Sequence, residues 1–184
     1  MAAQRSGTSG GLSAAVERLS EHAGEWGTER LLDEGLDLVR DSTWADVCVL
    51  HAVGSHTATV LARRPGAVGH AEDLPLAGLP EEVPADWFPW GLAPVNPRRF
   101  LLVDDASPLP SAPRSSAPTS STPRPAPTLG ELGVRSCLHL PILERSRLVG
   151  ALHLYWVEPR LAWDDDHGRL LRTLGRFLLD AAPR

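Results

Sequence analysis

SCLHLPILERSRLVGALHLYWV, residues 136–157, holds two apolar runs separated by four polar or charged residues. The runs Ser136–Leu143 and Leu148–Val157 read as strands, and Glu144-Arg145-Ser146-Arg147 joins them. This is the pattern of an antiparallel hairpin. If Arg145-Ser146 is a two-residue turn, Leu138 faces His153 and His139 faces Leu152. His139 and His153 then point to opposite faces of the sheet, because side chains alternate along a strand. A three-residue loop would reverse that assignment.

On the C-terminal side, Asp164-Asp165-Asp166 opens a helix, and its acids suit the positive end of the helix dipole. Leu170, Leu171, Leu174, Phe177, Leu178 and Ala181 form its apolar face. On the N-terminal side, Leu129–Val134 is expected to make a helical turn. Residues 107–128 are almost wholly Pro, Ser, Thr and Ala. Such a segment buries too little apolar surface to offset its ordering entropy, so a disordered loop is expected there. Phe100–Val103 is a short strand, and residues 63–99 are Pro-rich and irregular, with Trp87, Phe88 and Trp90 close together.

Further back, ADVCVLHAV, residues 45–53, is apolar on both faces, which predicts a central strand covered on both sides. Thr57–Ala62 is its hairpin partner across Gly54-Ser55. Thr28 is a capping residue for a helix over 28–41, with Leu31, Leu32, Gly35, Leu38 and Val39 inward. Leu12, Val16, Leu19, Ala23 and Trp26 place one apolar stripe on a first helix over 12–27, with a disordered start at 1–11. That stripe suits either packing on its own domain or a short seam with a second copy.

The order of elements predicts an α+β fold: an antiparallel sheet of five to six strands with the N- and C-terminal helices packed on one face. A chain of 184 residues suits one domain. The net charge is -5, and all 18 basic residues are Arg. The only adjacent pairs are Arg63-Arg64 and Arg98-Arg99, which read as solvated charges rather than a phosphate-binding patch, so no nucleic-acid partner is expected. No run is long and apolar enough for a membrane span or a signal peptide, so no membrane partner is expected. Cys48 and Cys137 lie within strands and lack metal-ligand spacing, which fits a reducing cytoplasm.

From Gly133 onward the chain resembles the end of a GAF domain. The residues that carry the likeness are Gly133-Val134-Arg135-Ser136, Pro141-Ile142, the turn Arg145-Ser146, Gly150 and the acid-capped helix at Asp164–Asp166. Upstream, the helix over 28–41 and the strand over 45–53 match the opening of such domains. LPLAGLP and FLLVDDASPLP are similar to the central segment in some bacterial sensors. The resemblance spans residues 28–182. It implies terminal helices on one face of the sheet, and loops on the other face that form a ligand pocket. Members of the family sense cyclic nucleotides, haem, bilins, iron or amino acids, or nothing known, and they often dimerise.

Several family activities are testable by residue. A GAF-type methionine sulfoxide reductase needs three cysteines around the pocket, and this chain has two. Bilin-binding relatives carry an adjacent Cys-His pair, whereas Leu138 separates Cys137 from His139. His51, His139 and His153 could share a haem or metal site only if they shared a face, and the two-residue turn argues against it. His22, His56, His70 and His167 are expected in solvent. No nucleophile triad, phosphate loop or metalloprotease pattern occurs, so no catalytic residue and no metal ligand is assigned. Trp87, Phe88 and Trp90, with His139, are the candidate ligand-binding residues, since aromatic faces suit flat apolar ligands. The other reading of this trio, and the favoured one, is a small core that closes the irregular segment. The expected function is that of a sensory module without enzymatic activity. It would bind a small molecule or a separate signalling protein, with a homodimer as one form. A degenerate module serving only as a dimerisation scaffold is the alternative, and a haem or redox sensor is a third reading. No cofactor is assigned.

Overall fold

The computed structural model describes residues 9–66, 74–85, 101–103, 128–160, 163 and 165–182. Trp87, Phe88 and Trp90, His70, and residues 107–127 of the expected disordered loop lie outside the described residues.

Six strands form one antiparallel sheet: β1 (Val47–Val53), β2 (Thr57–Pro65), β3 (Glu82–Pro84), β4 (Leu101–Val103), β5 (Ser136–Glu144) and β6 (Arg147–Trp156). Their order across the sheet is β3-β2-β1-β6-β5-β4, so β1 and β6 are central. Helices α1 (Ser9–His22), α2 (Thr28–Thr43) and α3 (Asp165–Ala181) cover one face. The α+β expectation and its strand count hold.

The helix layer is built on leucine. Leu50, Leu138, Leu140, Leu152 and Leu154 project from the sheet to meet Leu31, Leu36, Val39, Leu171, Leu174 and Leu178. Gly35 lets α2 and α3 approach closely, since a Cβ there would sit 2.5 Å from the Leu178 side chain. Leu36 is fully buried while Leu38 is half-buried, so the inward stripe of α2 is rotated by part of a turn from the sequence expectation. The N-cap of α2 is Gly27 rather than Thr28, whose hydroxyl instead donates to the Ala181 carbonyl at the end of α3.

Helix α1 starts at Ser9, inside the stretch expected to be disordered. Its Leu12 and Leu19 are buried in the same leucine core, with Val16 packed against it. The apolar stripe of α1 is therefore buried against its own chain.

The β5–β6 turn is the two-residue turn anticipated from the sequence. Arg145 and Ser146 both adopt positive φ, 47° and 69°, as in the mirror-image turns that suit a twisted hairpin. The register does not follow from it. Leu143 pairs with Leu148, but Ile142 pairs with Gly150, so Val149 is an extra residue in β6. This bulge shifts all the pairing beyond it by one. A second irregularity makes Leu61 the extra residue in β2, because Leu50 pairs with Ala62 and His51 with Val60.

Candidate functional site

The bulge at Val149 overturns the assignment of the histidines to opposite faces. His139 lies directly opposite His153, and His153 lies opposite Val49 on β1. His51 sits one diagonal step along β1, opposite Ala151. All three histidines therefore share the face away from the helices. They form a ladder: ring centroids are 4.6 Å apart for His139 and His153, and 5.0 Å for His51 and His153, both edge-to-face. Tyr155 extends it, stacked on His153 at 5.8 Å.

All of these rings are buried, His153 and Tyr155 at 1% exposure each. Around them stand Val47, Val49, Val103 and Cys137 from the sheet. Among the described residues the cover comes from two short segments. One is a 3-10 turn, Pro75–Gly78, which inserts Leu76. The other is the turn Leu129–Val134, which contributes Leu129, Leu132 and Val134. That second turn is held by a capping box. The Thr128 backbone N–H donates to Glu131, and the Glu131 N–H donates to the Thr128 hydroxyl. Leu76 N–H donates to the Leu132 carbonyl, which ties the two covers together.

Burial removes water from the imidazoles and disfavours their charged form. His51 is pushed down to about 3 by burial first, then by the Arg63 charge. His139 is pushed down to about 4 by burial. His153 is held well below its ordinary value, again by burial first. The ladder is neutral at physiological pH, so each ring offers one donor and one acceptor nitrogen. The Nδ1 atoms of His139 and His153 are 3.4 Å apart, so one of them donates to the other.

Cys137 shares this face, but burial pushes its thiol up to about 12. Cys48, on the helix face, is raised as well. Neither is a thiolate, the reactive form of cysteine. Among the described residues no group of three His, Cys, Asp or Glu side chains converges to hold a metal ion.

Arg63 closes one end of the ladder. Its Nη1 donates to the Ala77 carbonyl at 2.5 Å and its Nη2 to the Leu79 carbonyl at 3.2 Å. Between Arg63, His51, Tyr155 and the cover lies a cavity of about 10 Å³, the space of one water. A wider recess of about 280 Å³ lies elsewhere, on the helix side, where the extra residues Leu61 and Val149 meet Leu179 and Arg176.

Of the ligand candidates read from the sequence, His139 is on the ladder, while Trp87, Phe88 and Trp90 lie outside the described residues. Sequence reading set aside His51 and His153 on register, and it missed Tyr155 and Arg63. Tyr155, the single tyrosine, is two residues past His153 and so on its face by alternation. Arg63 was placed beyond the end of β2, which in fact runs to Pro65. His167, expected in solvent, is buried against Trp163, with ring centroids 5.6 Å apart.

The family model described as GAF domain matches residues 27–179. Among solved structures, the phycoerythrobilin-bound GAF domain from a cyanobacterial phytochrome superposes with a TM-score of 0.67 at 19% identity, with 95% of each chain covered. The chromophore-binding domain of the bacteriophytochrome RpBphP3 from R. palustris gives 0.59 at 16% identity; the match covers 92% of this chain and 59% of that one. The GAF domain from a phosphoenolpyruvate-protein phosphotransferase of Coxiella burnetii gives 0.57 at 14% identity, covering 92% of this chain and 91% of that one. No curated protein sequence matches. No helix among the described residues is long and apolar enough to cross a membrane.

Proposed function

The chain belongs to the GAF domain family, and from that premise we propose that it is a sensory module whose ligand sits on the His51–His139–His153 face. One observation carries this reading. The sheet face away from the helices bears three neutral imidazoles and a phenol, all buried, where the opposite face of the same strands bears leucines. Burying a polar ring contributes less than burying hydrocarbon, because its polar atoms must be desolvated as well, so a face built this way suits recognition more than cohesion. The similar GAF domain that binds phycoerythrobilin supports a ligand-binding role for this fold. Covalent attachment as a bilin is not part of the reading, because Cys48 and Cys137 are both buried within strands.

In this reading the module performs no catalysis. Binding alters the cover segments, and the signal passes by contact to a separate cytoplasmic protein or to a second copy. Neither nucleic acid nor membrane takes part. A native mass spectrum of the protein purified from its own host tests the proposal. A non-covalent adduct that disappears in a His139→Leu/His153→Leu variant is the expected result. A wild-type spectrum at the bare chain mass would overturn it. The alternative is a scaffold that binds nothing small, and one observation favours it: the cavity on this face is about 10 Å³.

A further inference from the structure

Arg63 is an unusual residue for its position. It is half-buried, and among the described residues no carboxylate lies within ion-pair distance of it. Its neighbour Arg64, by contrast, is paired with Asp33. Two of the Arg63 nitrogens hold main-chain carbonyls of the cover, while Nε is buried with no hydrogen-bond partner among the described residues. Its surroundings are Val49, Leu76, Leu79, Val83, His51 and Tyr155. The guanidinium thus carries its charge directly against neutral carbonyl dipoles, with Glu81 acting on it only from beyond ion-pair distance, beside a water-sized space.

We propose that Arg63 is both the anion-recognising residue of the ligand site and the latch of its cover. The ligand class is an organic acid, a carboxylate on an apolar body. A carboxylate meets the planar fork of arginine in two parallel hydrogen bonds, and this charge-assisted pair is stronger than a bond to a neutral carbonyl. The apolar body suits the leucine and valine walls, and the neutral His51 and Tyr155 offer hydrogen bonds without repelling the acid. The cavity is too small to admit such a ligand while the cover is down. Entry therefore requires Ala77 and Leu79 to leave the guanidinium. The carboxylate takes their place, and the segment Leu74–Pro80 is released. Ligand occupancy becomes a change in the cover's mobility, which a partner can read. This rests on the sensor reading above and specifies its ligand and its moving part.

Benzoate, with benzamide as its uncharged counterpart, tests the proposal on the full chain. Two readouts apply: the Nε–H resonance of Arg63 in a nitrogen-15 spectrum, and amide hydrogen exchange over residues 74–85. Benzoate is expected to shift the Arg63 resonance and to speed exchange at Leu76, Ala77 and Leu79, while benzamide does neither. Arg63→Gln should speed exchange at those amides by roughly tenfold without any probe, and abolish the response to benzoate. Arg63→Lys, which keeps the charge but not the fork, should respond to benzoate more weakly than the wild type, and it covers the case in which the glutamine variant does not fold. Equal responses to benzoate and benzamide would overturn the proposal. So would unchanged exchange over 74–85 in Arg63→Gln, or no wild-type response to benzoate. A neutral ligand found in the native mass spectrum would sink the acid assignment and leave the sensor reading standing.

Discussion

The two faces of the sheet are built from the same strands and differ in almost every respect. Toward the helices, β1, β5 and β6 present Cys48, Leu50, Leu138, Leu140, Leu152 and Leu154. Away from them, the same strands present Val49, His51, Cys137, His139, His153 and Tyr155. The first set buries hydrocarbon against three helices and supplies cohesion at roughly 25 cal/mol per Å² of apolar area. The second set is just as buried but covered by short segments, and much of it is polar. The contrast separates the labour of the fold: one side holds the domain together, and the other is free to bear groups that stability alone would not select.

The largest loss is expected where the helix-facing leucines are cut: Leu152→Ala should cost about 3 kcal/mol in urea denaturation, since it opens a cavity in the helix-side core. A cost under about 1 kcal/mol would mean that this face is not the cohesive one.

The histidine face should show itself through pH. His51 and His139 have folded values of about 3 and about 4, below their ordinary 6.5. The unfolded chain therefore binds protons that the folded chain refuses. Stability is complete above pH 6.5 and falls as pH drops through the window down to about 4 and then 3. Each histidine adds about 1.4 kcal/mol per pH unit to that slope. His139→Leu should flatten the curve between pH 6.5 and 4 by that amount, and an unaltered slope would show that His139 titrates freely. The smallest effect is a cycle at pH 7.5. His153→Leu alone should cost about 1–2 kcal/mol, because it strands the His139 Nδ1 atom. The double change to leucine should return to within about 1 kcal/mol of wild type.

Much of this was legible in the sequence. Runs such as Ser136–Leu143 announce strands by composition, and Leu170 through Ala181 announce a helix by period. The register was not legible. A bulge has no strong local signature here; Val149 is an ordinary strand residue, and the turn before it is the one the spacing suggested. A single extra residue reversed the conclusion about His139 and His153 because strand periodicity is two. Arg63 was illegible for a different reason. Its significance lies in which carbonyls it meets, Ala77 and Leu79, and the irregular segment that carries them has no period to read.

Val149 also has a genetic consequence. Its side chain lies in the helix-side recess, away from the ladder, so many apolar residues could replace it. Because the bulge takes it up, the pairs beyond it, Ile142 with Gly150 and His139 with His153, are those that an unbulged two-residue hairpin would make without it. The hairpin thus carries one codon that the ladder does not need. Among descendants of this gene, residue 149 is expected to drift in type and to tolerate in-frame loss, while the residues on either side of it stay in step.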